Sequence, residues 1–211
     1  MFTKNEVLQV LGQAANADKE FKLFGAEKHR YKLNPTMSVA VVRHIENQYN
    51  FSLPEDHSRF ITEVGNGGAG PHYGLHDVGA GQGNHSYGAC FDSESDAISL
   101  PFCPRPITEK EAVTHYSQGF YDHTKGKCYC YGADPEEPDS LLLCENGLLT
   151  LGTQGCAHDH VMVVSGERKG QVFSSDDFTS FVWKFDSFTA FYADFLDDLR
   201  TQRSPRIWHK T

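Results

Sequence analysis

Ser52-Leu53-Pro54-Glu55-Asp56-His57-Ser58-Arg59-Phe60-Ile61-Thr62-Glu63-Val64 runs directly into Gly65-Asn66-Gly67-Gly68-Ala69-Gly70-Pro71. The first half reads as a helix. Ser52 and Glu55 have capping-box spacing, Pro54 falls where a first turn tolerates a missing N–H, and Phe60, Ile61 and Val64 share one face. The second half ends that helix abruptly. Its letters satisfy the dinucleotide fingerprint G-x-G-x-x-G, but that fingerprint works between a strand and a following helix, whose N-terminus receives the pyrophosphate. Here a helix precedes and Pro71 follows, so the run reads as a glycine turn that lets backbones pack closely. No cofactor is expected.

On the N-terminal side, Val42, Ile45 and Tyr49 recur at three- and four-residue spacing and predict a helix over 38–49. Residues 1–35 hold two weakly amphipathic stretches, Val7-Leu8-Leu11 and Phe21-Leu23-Phe24, separated by a polar run and closed by Asn34-Pro35. They read as an N-terminal helical extension to a domain spanning 36–211. On the other side, 79–139 is rich in Gly, Pro, Ser and His. It reads as an elaborated loop region with one helix over 108–116. Beyond it, 141–144, 148–151, 160–164 and 171–173 are β-prone runs broken by Asn146-Gly147, Gly152 to Gly155 and Gly166 to Gly170. Asn146-Gly147 favours a type I′ hairpin. The closing segment carries Phe188, Phe191, Tyr192, Phe195, Leu196 and Leu199 as one apolar stripe behind the N-cap Ser187. Asp194, Asp197 and Asp198 fall on the opposite side. The fold class that follows is α+β: a mainly antiparallel sheet with N-terminal helices and a C-terminal amphipathic helix packed on it.

Composition narrows the function classes. The chain has 211 residues and a net charge of −9, which repels phosphate backbones and favours a basic partner. Direct nucleic-acid binding is therefore not expected. No apolar run has the length of a membrane span, and Met1 to Glu6 lacks the apolar region of a secretory signal. Six cysteines do not form a small-domain disulfide framework, so reduced thiols and a cytoplasmic location are expected.

Residues that could carry chemistry are few. Cys156, His158 and His160 would share one face of a strand and are candidate metal ligands, with Cys128 and Cys130 as further thiols. No CxxC pair or HExxH helix accompanies them, so buried or hydrogen-bonded side chains are the simpler reading and no metal is expected. No nucleophile elbow occurs, and no catalytic residue is assigned. Asp134-Pro135-Glu136-Glu137-Pro138-Asp139 places four carboxylates in a stretch that two prolines keep extended. Asp134, Glu136, Glu137 and Asp139 are the candidate partner-binding residues.

The arrangement of Leu53 to Ile61, Gly65 to Pro71 and Tyr73-Gly74-Leu75 resembles the N-terminal signature of the Smi/Knr-like family of the SUKH superfamily. Gly155-Cys156, the strand Val161 to Val164, and Gly166 to Phe173 resemble that family's C-terminal hairpin. The closing aromatic helix is similar too. These segments cover about 38–78 and 141–200, in the family's order. Leu53, Pro54, Gly67, Gly68, Gly70, Pro71, Gly155, Cys156, Gly166 and Gly170 would be the structural motif positions. Two departures stand out: Ala157-His158-Asp159-His160 replaces the Gly or aromatic residue that often follows the Gly-Cys pair, and 79–139 is long. The resemblance implies an α+β fold and a non-enzymatic role in protein binding. In bacteria it implies an immunity protein that neutralises a polymorphic toxin, often a nuclease. Fungal relatives imply a scaffold or regulator of cell-wall synthesis or signalling.

Overall fold

A computed structural model describes residues 2–79, 98, 99, 101, 102, 105–107, 119–122, 127–130, 147–155, 158–176, 180–201 and 203. Helix α1, Lys4–Ala17, opens the chain behind a full capping box: the Thr3 hydroxyl accepts from the Glu6 N–H, and the Glu6 carboxylate accepts from the Thr3 N–H. It continues into the polar run that separates the two expected stretches and ends there, leaving the second stretch, Phe21, Leu23 and Phe24, outside any helix. Its buried face is Val7, Val10, Leu11 and Ala14, and Leu8 is exposed. A single turn, α2, Ala26–His29, follows. The expected 38–49 helix is α3, Val39–Gln48, capped by Ser38 and burying Val42 and Ile45.

The helix expected behind Ser52 begins two residues later than its capping pattern predicts. Pro54 is the N-cap of α4, Glu55–Arg59, and supplies no side-chain hydrogen bond there. Glu46 of α3 instead accepts the Leu53 N–H, and Lys169 bonds the Ser52 hydroxyl, so Ser52 and Leu53 are tied to other parts of the chain. The helix then widens into a π turn, Phe60–Val64, closed by the Gly65 N–H donating to the Phe60 carbonyl. Phe60, Ile61 and Val64 are buried, as their shared face requires.

Strands β1, Arg105–Ile107, β2, Gly119–Asp122, and β3, Lys127–Cys130, form an antiparallel sheet in the order β1-β3-β2. A second antiparallel sheet is a meander of β4, Leu148–Gly155, β5, His158–Val163, β6, Val172–Asp176, and β7, Ser180–Phe185. The glycines expected to break the chain after Leu151 are inside β4, where Gly152 and Gly155 accompany two register shifts. Bulging without termination is what an extra residue in a strand produces. Strand β7 has no counterpart in the sequence reading. The expected 108–116 helix, the 141–144 strand and Asn146 lie outside the described residues.

Helix α5, Phe188–Arg200, closes the fold behind the Ser187 N-cap, whose hydroxyl accepts from the Ala190 N–H. Its whole apolar stripe is buried. It joins α1, α3, the π turn and one face of the second sheet, Leu149, Leu151, Met162 and Val172, in a single core, and meets α4 through Phe188 against His57. The other face of that sheet buries Leu148, Val161, Val163 and Phe173 with Phe102. Asp198 departs from expectation: it is buried, because at seven residues after Phe191 and three after Phe195 it falls beside the apolar stripe, and Arg203 beyond the helix end comes within 3.8 Å of its carboxylate. Among the described residues no helix is long and apolar enough to cross a membrane.

Candidate functional site

The glycine turn is where three parts of the chain meet. Gly68 bridges Leu33 on one side and Leu75 on the other, and the Tyr73 and His76 N–H groups donate to Thr153 and Leu151 of β4. Such crossings need backbone without side chains. A Cβ on Gly68 would lie 2.5 Å from the Lys32 carbonyl oxygen, and one on Gly152 would lie 2.3 Å from that of Gly74. Gly68 also has φ +94, a region that L side chains rarely adopt. Gly70 abuts the Leu75 side chain, and Pro71 and Leu53 are buried beside the core.

The same bonds bear on the fingerprint. The N–H groups of Gly65, Asn66, Gly67, Gly68 and Ala69 donate to the carbonyls of Phe60, Pro35, Gly65, Leu75 and Lys32. A phosphate cradle offers its N–H groups to the ligand, and here they are already engaged. Asn66 fastens the far end of the loop, donating to the Val78 carbonyl and accepting the Val78 N–H.

Beneath this turn lies a buried polar chain. His72 Nδ1 is 2.9 Å from His160 Nε2, and His160 Nδ1 is 3.2 Å from the Ser174 hydroxyl. Glycine-turn geometry delivers His72, while β5 and β6 pair so that His160 opposes Ser174. One imidazole donates and the other accepts, so one ring-to-ring proton is required. A second added proton would set N–H against N–H. Serine, histidine and an orienting histidine have the connectivity of an activated nucleophile. Access is what differs: His72, His160 and Ser174 are 1%, 2% and 3% exposed, so the hydroxyl is not presented to a substrate in this arrangement.

Of the three residues weighed as metal ligands, His158 and His160 are both buried on β5, two residues apart, and Cys156 lies outside the described residues. Among the described residues no group of three His, Cys, Asp or Glu is placed to hold a metal. Cys128 and Cys130 are on β3. Asp134, Glu136, Glu137 and Asp139 lie outside the described residues. Gly155, with φ +88, sits against the Tyr73 ring, and Gly166 and Gly170 both take positive φ in the β5–β6 connection.

Two further histidines pack against the closing helix: His57 is buried with its ring tilted against Phe188, and half-buried His29 meets Phe195 edge-on. Burial lowers each imidazole to about 4, against the weaker opposing pull of Asp56 on His57 and Glu27 on His29. Asp159, next to His158, is instead raised by burial. No periodicity announces these contacts, because each joins residues far apart in the chain. No protein-family model, no curated protein and no solved structure matches the chain.

Proposed function

We propose that this chain is an immunity protein that neutralises a polymorphic toxin, with nucleases as the leading toxin class, by binding it directly. The observation that carries the reading is the net charge of −9. That charge favours encounter with a basic protein surface and disfavours nucleic acid. The resemblance of the helix, glycine turn and terminal hairpin to Smi/Knr-like proteins supports it. So does the use of the turn's N–H groups and of the His72–His160–Ser174 chain in holding the fold together, which leaves them engaged internally.

The candidate contact is the set Asp134, Glu136, Glu137 and Asp139. The test begins with a neighbouring gene for a large secreted protein: its C-terminal domain is expressed with and without this chain, and growth is scored. Rescue of growth is expected. The four carboxylates are then changed to Asn or Gln. Association should slow by about one decade or more at low salt and lose much of its salt dependence, with the melting temperature unchanged. Association untouched at both salts removes this stretch from the contact. No rescue, together with recovery of cell-wall or signalling proteins in a pull-down, would favour the scaffold role instead.

A further inference from the structure

Three histidines from three different elements lie against the phenylalanine stripe of α5. His57 of α4 is 4.6 Å from Phe188 between ring centroids, His160 of β5 is 5.0 Å from Phe191, and His29 of α2 is 6.2 Å from Phe195. Each phenylalanine is buried, and successive ones lie one helical turn apart, so the imidazoles line the seat of the helix along its length. His72 extends the row behind His160 and is itself covered by Phe24. His57 Nδ1 is buried without a hydrogen-bond partner.

An imidazole can share an apolar site with a phenyl ring while neutral. Once charged it has to be hydrated or paired. The acidic groups acting on these rings are Asp56 for His57 and Glu27 for His29. The Asp56 carboxylate is already engaged by the N–H and hydroxyl of Thr189 and the His57 N–H. Around His29, the Tyr31 hydroxyl is directed to Asp18. Around His160 stand His72 and Ser174, with His158 two residues back on the same strand. A second positive charge on the His72–His160 pair would also break the ring-to-ring bond.

We propose that these histidines form a proton-operated latch, which holds α5 while they are neutral and lets it lift on acidification before the strand meander comes apart. The order follows from where the titrating rings sit. They lie between α5 and what it covers, whereas consecutive strands β4 to β7 are held to one another by backbone hydrogen bonds. The direction follows from linkage. His29 and His57 hold their protons less tightly in the folded chain than the ordinary 6.5, so the released form binds more protons. The stabilisation is fully present above pH 6.5 and is lost as pH falls through about 4.

Amide hydrogen exchange on the full chain tests this between pH 7.5 and 4.5, with rates corrected for intrinsic pH dependence. Protection of the α5 amides should fall by about 10² per histidine by pH 4.5, roughly 10³–10⁴ in all. Protection in β4 and β5 should fall far less. His57→Leu and His29→Leu should each make the α5 loss about 10²-fold smaller, an effect that a purely packing role would not produce. Equal loss of protection in α5 and the strands would overturn the latch, as would α5 protection independent of pH. So would variants that fold at pH 7.5 but keep the full pH dependence. Should either variant fail to fold, the α5-to-strand comparison in the unaltered chain still decides the matter.

Discussion

Gly68 and Gly12 differ in backbone conformation and in surroundings, and those differences set opposite signs for the same substitution. Gly68→Ala would force a Cβ into the Lys32 carbonyl oxygen at a positive φ, so its cost is strain plus overpacking, roughly 2–5 kcal/mol. Gly12 lies within α1, is exposed, and has nothing within 4 Å of an added Cβ. Gly12→Ala should therefore stabilise the chain by up to about 1 kcal/mol through helix propensity and reduced unfolded-state entropy. Urea denaturation of both variants checks the pair, and a tolerated Gly68→Ala would mean that the Leu33–Gly68–Leu75 crossing is looser than its distances require. The residue scale is also where the sequence was least explicit. Gly68 reads correctly as close-packing backbone because no strand precedes it. His72 and His160, 88 positions apart, carry no signal that pairs them. Asp198 reads as a surface residue because it is charged, although its spacing from Phe191 and Phe195 places it at the border of the buried face.

At the scale of elements, α5 has two caps. Ser187 serves the Ala190 N–H, and Asp56 of α4 accepts both the N–H and the hydroxyl of Thr189 at 2.8 and 2.9 Å. The carboxylate also suits the positive end of the helix dipole. Asp56→Ala should cost about 1–2 kcal/mol and raise exchange at the Thr189 amide, while Asp56→Asn should recover part of the loss. Stability and Thr189 exchange both unchanged would show that solvent replaces the carboxylate without penalty. The elements most legible in the sequence, α3 and α5, are those whose apolar positions keep helical spacing. Strand β7 was not, because Phe181, Val182, Trp183 and Phe185 are apolar without the strict alternation of a half-buried strand. The break expected at Gly152 was wrong for a related reason: glycine marks a bulge as readily as an end.

For the molecule as a whole, the question is how many independent parts it has. Residues of α1, α3, the π turn, β4 to β6 and α5 belong to one buried cluster, with Phe191 at its centre against Phe185, Phe188 and His160. Phe191→Ala should accordingly cost about 3–5 kcal/mol at neutral pH. Helix and aromatic signals should still fall together in one unfolding transition, with separate midpoints arguing for parts that melt on their own. The α+β architecture was legible from periodicity and turns.

The Asp56–Thr189 bond has a temporal side. Its partners are 133 residues apart, so the cap on α5 cannot form until the chain between them exists. At ribosomal speeds of about 5–20 residues per second, Asp56 emerges on the order of ten seconds before Thr189. Through that interval Phe60, Ile61 and Val64, which finish the fold against α5, have no helix to cover them. Apolar surface of that kind is what chaperones bind and what drives nascent chains together. Slower synthesis should thus lengthen that exposure and lower the yield of folded chain in a cell.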